Sequence, residues 1–169
     1  NGDGTYTLTF EIRAENNGNI NLDSLQITDD LASVFGTDCQ WQIDGLASEE
    51  FTVNTNYDGD SDVNLLTGDD ELKSWNEGAL YLTITVGPCT DLGPFNNSAM
   101  GTAETPTGDP VMDISQTGSE PDSDGDGETD DNDVATEFEV KETPVIGLSL
   151  IHISEPTRHR SGACGVCGV

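Results

Sequence analysis

Basic side chains are nearly missing from this sequence. Its 169 residues hold 33 Asp+Glu against 5 Lys+Arg, a formal net charge of −28. A surface of that sign repels phosphate, which argues against nucleic-acid partners and against anionic membrane surfaces. Long apolar runs are missing as well, and no stretch approaches the ~20 residues of a membrane-spanning helix. The only histidines are His152 and His159. Residues 1–147 therefore lack the commonest general base and the commonest transition-metal ligand. Nucleophile schemes built on Ser or Cys lose their partner with it. Paired carboxylates, as a glycosidase would need, carry no information where acids are this abundant. They also sit in polar, Gly-rich loops and not in the apolar pockets that raise a catalytic pKa. These absences point away from an enzyme.

The last part of the chain is set aside before any chemistry is assigned. Residues 148–158 read LSLIHISEPTR. This run resembles the in-frame translation of a transposase adapter used in sequencing libraries. Residues 149–169 are accordingly expected to be adapter read-through and no part of the fold. Both histidines fall in that segment. So does Cys164-Gly-Val-Cys167, a spacing that elsewhere suggests a redox or metal site.

What remains is rich in period-2 alternation. Tyr6, Leu8, Phe10, Ile12 and Ala14 share one face over 5–15, with Thr7, Thr9, Glu11 and Arg13 on the other, the pattern of a half-buried strand. Asn16-Asn17-Gly18-Asn19 is a turn. Ile20, Leu22, Leu25 and Ile27 predict a second strand, Cys39, Trp41 and Ile43 a third, and Phe51, Val53, Thr55 and Tyr57 a fourth. Leu65, Leu66 and Leu72 flank a tight apolar turn tucked under the core. The stretch 79–87, ALYLTITVG, is the strongest strand after the first, and 95–104, 111–116 and 134–140 complete about eight. No amphipathic helix is predicted. The fold class is all-β, and two packed antiparallel sheets bury the inward faces most simply.

One stretch carries candidate chemistry. Residues 120–133 read EPDSDGDGETDDND. Counted from Asp122, acids fall at positions 1, 3, 5, 9 and 12 (Asp122, Asp124, Asp126, Asp130, Asp133), with Gly127 at 6 and the Glu128 carbonyl at 7. That is the ligand ladder of a twelve-residue Ca2+ loop, in which hard oxygen donors meet a hard cation and the glycine permits the sharp turn. Asp133 stands where such loops usually carry Glu. The alternative is a solvated acidic linker. Pro121 before the loop and the strand pattern after it exclude a helix–loop–helix arrangement. The segment resembles the Asp-rich loops of thrombospondin type 3 repeats, which wrap calcium without flanking helices. A second cluster, Asp58, Asp60 and Asp62, is a weaker cation candidate. It has no Gly at position 6 and no acid at 12, and a solvated loop is the favoured reading.

The order of several motifs is more specific than any one of them. NGDGTYTLTF, AENNGNINLDSLQITDDLASVFG, DGDSDVNLLTGDDEL, GPFNNSA and DISQTGSEPDSDGDG follow one another through 1–147. Together they resemble the bacterial cell-surface repeat family with an immunoglobulin-like β-sandwich, the domain-of-unknown-function eleven type. The resemblance implies one sandwich over 1–143 and the start of a following repeat at 144–148, with the corresponding strand before Asn1 absent. It also implies tandem arrays in secreted or surface-anchored proteins, no enzymatic activity, and neighbouring repeats as the main partners. The expected role is a calcium-stabilised stalk or spacer in adhesion. The alternative is a module binding carbohydrate or protein through sandwich-end loops such as 33–38 or 89–95. A carbohydrate site normally shows exposed aromatics, and Trp75 is the single strong candidate. In an oxidising extracellular setting Cys39 and Cys89, the only cysteines of 1–147, suggest a disulfide; two separate buried thiols are the alternative.

Overall fold

The structure is a computed structural model that describes residues 1–120, 122–125, 132–142, 144 and 146–148. It is an all-β antiparallel sandwich. One sheet has the order β1-β5-β3, formed by Tyr6–Asn16, Asn76–Cys89 and Cys39–Ser48. The other has the order β4-β2-β7-β8, formed by Asp70–Leu72, Leu22–Thr28, Met100–Glu104 and Pro110–Ile114. A short pair, β6 (Phe95–Asn97) with β9 (Thr136–Phe138), is the third antiparallel sheet.

The first sheet follows directly from alternation. β1 and β5 pair without a register shift from Tyr6↔Val86 to Asn16↔Asn76. Leu8, Phe10 and Ile12 therefore lie opposite Ile84, Leu82 and Leu80, apolar against apolar on one face. β5 is the central strand, and Leu80, Leu82, Ile84 and Val86 are fully buried. The inward residues of β1, an edge strand, are only half-buried.

The second sheet needs an irregularity. Leu22 and Leu25 are three apart and cannot share a face of a regular strand. The register against β4 and β7 shifts between them, and Ser24, at φ 57°, sits inside the shift. The extra residue returns Leu25 and Ile27 to the core face.

Four sequence expectations are corrected. The fourth strand, over Phe51 to Tyr57, is not a strand. Phe51 and Tyr57 are buried, but the backbone between them makes only an isolated bridge, Val53↔Leu66. Beyond that bridge its bonds are local or to side chains: the Tyr57 N–H donates to the Asn54 carbonyl at 3.2 Å, and Asp70 accepts from the Thr52 N–H at 2.8 Å. The single strand expected over 95–104 is two, β6 and β7, in different sheets. A helix is present where none was expected: α1, Leu31–Phe35, capped by Asp30, whose carboxylate accepts from the Ser33 N–H at 2.9 Å. It buries Leu31 and Phe35 completely and closes the sandwich end over an aromatic cluster. Phe35 lies 5.4 Å from Phe95 and 6.0 Å from Phe138, and Phe138 lies 5.5 Å edge-on from Phe10. Leu65, Leu66 and Leu72 are buried as expected, but the segment expected to be only a turn there includes strand β4, whose Leu72 and Asp70 pair with Leu22 and Leu25 of β2.

Candidate cation loop and binding surfaces

Of the proposed calcium ligands, Asp122, Asp124 and Asp133 lie within the described residues; Asp126, Glu128 and Asp130, with Gly127, lie outside them. The described part is a closed loop base. The Thr117 N–H donates to the Val134 carbonyl at 2.7 Å, and the Val134 N–H donates to Gln116 Oε1 at 2.8 Å. One layer further out, Ser123 Oγ donates to the buried Asn132 at 2.6 Å. Asp122 folds back on its own segment, accepting from the Gly125 N–H at 2.7 Å, with Gly125 at φ 75°. The two arms of the acidic stretch are thus brought together at its root. Among the described residues no group of three or more His, Cys, Asp or Glu side chains gathers to hold a metal ion.

The second cluster is organised around its own backbone. Asp58 Oδ1 accepts from the N–H groups of Asp60 at 3.0 Å and Asp62 at 2.8 Å, and Asp58 Oδ2 accepts from Ser61 Oγ at 2.6 Å. These bonds, the Ser61 hydroxyl first, hold the Asp58 carboxyl down at about 2. Asp62 accepts from Asn54 and from the Asn64 N–H. Gly59, at φ 71°, lets the loop lie flat on Leu31 and Trp41; a Cβ there would come within 3.1 Å of both. The geometry is that of a self-capped turn packed on the core.

Cys39 and Cys89 form a disulfide. They are direct partners in the β3–β5 register, with Cα atoms 4.1 Å apart. The loops after α1 and after β5 meet beside it, where the Thr90 N–H donates to the Asp38 carbonyl at 2.6 Å. Trp75 stands at the opposite end, 71% exposed at φ 60°, in the turn leading into β5. Its N–H donates to the Asn16 carbonyl at 2.8 Å, so the backbone under the ring is fixed.

One pair escaped the sequence reading. Asp29 is 1% exposed, and its Oδ2 accepts from Asn97 Nδ2 at 2.9 Å. Asp29 Oδ1 and Asn97 Oδ1, both buried, have no hydrogen-bond partner. The pair borders a cavity of about 370 Å³ with Ser115, Gln116 and Thr136. Burial pushes the Asp29 carboxyl up to about 6, with the Asn97 bond opposing and the Asp30 charge adding to the rise. Tyr57 donates its hydroxyl to the Asp29 carbonyl at 3.2 Å, and burial pushes that phenol up as well. The available signal was the inward parity of Asp29 after Leu25 and Ile27.

Searched against known proteins, the chain matches no family model, no curated protein and no solved structure.

Proposed function

We propose that this chain is a non-catalytic repeat module of a large bacterial surface or secreted protein, stiffened by Ca2+ and serving as a stalk or spacer in adhesion. The observation that carries the reading is the closed base of the Asp-rich loop, where 116–117 and 134 are bonded together and the carboxylate ladder begins at Asp122. Such a base supports an all-oxygen donor set, the chemistry Ca2+ selects. Asp122, Asp124, Asp126, Asp130 and Asp133 would supply side-chain oxygens and Glu128 its carbonyl. The bound cation would neutralise a run of like charge and tie the β8 side of the loop to β9. The sandwich carries the mechanical role, and its neighbours in the array are the principal partners.

Calorimetry with Ca2+ and with chelator tests this. Extracellular sites of this kind bind at ~10⁻⁴–10⁻³ M. At ten times Kd the stabilisation is about 1.4 kcal/mol, several degrees in melting temperature. Asp124→Ala with Asp126→Ala should abolish the shift, and Mg2+ should replace Ca2+ poorly. An unchanged melting temperature in chelator, with the double variant behaving as wild type, would leave only an acidic linker. A second reading, a carbohydrate-binding module, draws on the exposure of Trp75. A glycan-array hit lost in Trp75→Ala would favour it over the spacer.

A further inference from the structure

We propose that the open side of the sandwich is an acceptor groove for a β-strand, and that its occupant is residues 144–148 of a second copy of this chain. β1 and β8 are the last strands of their sheets on the same side, among the described residues. Between them lies a groove of about 520 Å³ floored by Leu25, Ile27 and Ala103, with Ile12, Ile20 and Val111 along it. The floor is buried, but apolar side chains along its rim are incompletely covered. Ile20 is 45% and Val111 41% exposed, whereas the central-strand residues Leu80 and Leu82 are 0% exposed. Beside this apolar floor β1 presents the backbone donors and acceptors of residues 12–16, part of its 11-residue edge. An edge strand next to an open apolar trough is the template for strand addition.

The chain itself carries a matching apolar segment that its own groove does not hold. Residues 144–148 read PVIGL, and Ile146 and Leu148 are each 94% exposed. β9 leads away from the groove. Thr136 borders a cavity with Ile12 and Arg13, Phe138 packs on Phe10, and the Val140 N–H bonds to the Leu92 carbonyl, past the disulfide. The groove is lined from β1 by Ile12–Asn16, at the other end of that strand. Ile146 and Leu148 stand in solvent, so the tail does not lie in its own groove. That arrangement pairs a tail with the groove of another copy, a heterologous contact that propagates head to tail.

The inference takes its setting from the tandem-repeat reading, but it stands on the groove and the tail, and a failed calcium titration leaves it untouched. Sedimentation velocity over a concentration series tests it. Cys164→Ser and Cys167→Ser go into every chain so that tail thiols cannot link copies. The donor variant is Ile146→Asp with Leu148→Asp. The acceptor variant is Ile20→Asp with Val111→Asp, at exposed positions whose folding is checked by thermal melts. The parent chain should grow with concentration beyond twice the monomer mass. Each variant alone should remain monomeric. An equimolar mixture of the two should form a dimer and stop there, because it holds one working tail and one working groove per pair. A parent chain that stays monomeric at every concentration, oligomers that survive in either variant, or a mixture that fails to dimerise would each overturn the proposal.

Discussion

At the scale of single residues, the buried carboxyl of Asp29 sets the most specific expectation. Its folded pKa of about 6 stands above the ordinary 3.8, because burial penalises the charge more than the Asn97 bond relieves it. Below about pH 4 the carboxyl is protonated in both folded and unfolded chains and carries no penalty. Between about 4 and 6 the folded state binds more protons than the unfolded one, so stability falls as pH rises. Above about 6 the full cost, about 3 kcal/mol, is present. Asp29→Asn keeps an acceptor for Asn97 Nδ2 and removes the buried charge. The variant should therefore melt about 5–10 °C higher than wild type at pH 8 and near it at pH 4. Melting curves across that range decide it; a variant less stable than wild type at pH 8 would show that the ionised carboxylate is itself well solvated. The pair was hidden in the sequence because its two members stand 68 residues apart, whereas the Asp ladder of 122–133 is written in consecutive residues.

At the scale of elements, legibility followed regularity. β1 and β5 were readable because each holds an unbroken period of two and the two pair without a shift. The second sheet was readable only as a set of apolar positions, since the shift at Ser24 changes the parity of β2 partway along. The segment from Phe51 to Tyr57 has strand spacing, yet its backbone pairs only at the single bridge Val53↔Leu66, and the Thr52 and Asn56 N–H groups go to the Asp70 and Asn54 side chains. Periodicity reports burial, and a strand requires a backbone partner as well. α1 is five residues long, too short for a helical period to emerge, although Asp30 and Gly36 mark its ends. The disulfide joins β3 to β5 across a sequence separation of 50. Loop-closure entropy for a bridge of that span is worth about 4 kcal/mol in the unfolded chain, with typical measured values of 2–4. Cys39→Ser with Cys89→Ser should accordingly lower the melting temperature by about 5–15 °C while leaving the β-sheet circular dichroism in place at low temperature. A variant melting with the wild type would mean that the ends of β3 and β5 are already tied by Thr90 and Asp38.

At the scale of the whole molecule, charge is the dominant unbalanced quantity. Five basic residues face 33 acidic ones, so few carboxylates have a cation to meet. The ion pairs among the described residues, Arg13 with Glu11 and Glu77 and Lys141 with Glu139, are all solvent-exposed. Exposed pairs contribute about 0–1 kcal/mol each, and salt weakens them. The repulsion among the remaining acids acts on the compact state over longer distances and is screened by the same salt, the Debye length falling from ~30 Å at 0.01 M to ~8 Å at 0.15 M. The two effects oppose each other, and the number of unpaired acids decides the sign. Raising NaCl from about 0.01 to 0.5 M in chelator should raise the melting temperature by several degrees, most of the gain coming below ~0.15 M. Adding millimolar Ca2+ at the high-salt end, where screening is already complete, should give a further rise that Asp124→Ala with Asp126→Ala removes. The two-step titration separates diffuse screening from a specific site. A melting temperature that falls with NaCl would show that the few ion pairs outweigh the acidic field. A calcium rise that disappears once salt is high would assign the whole effect to screening and none to the Asp-rich loop.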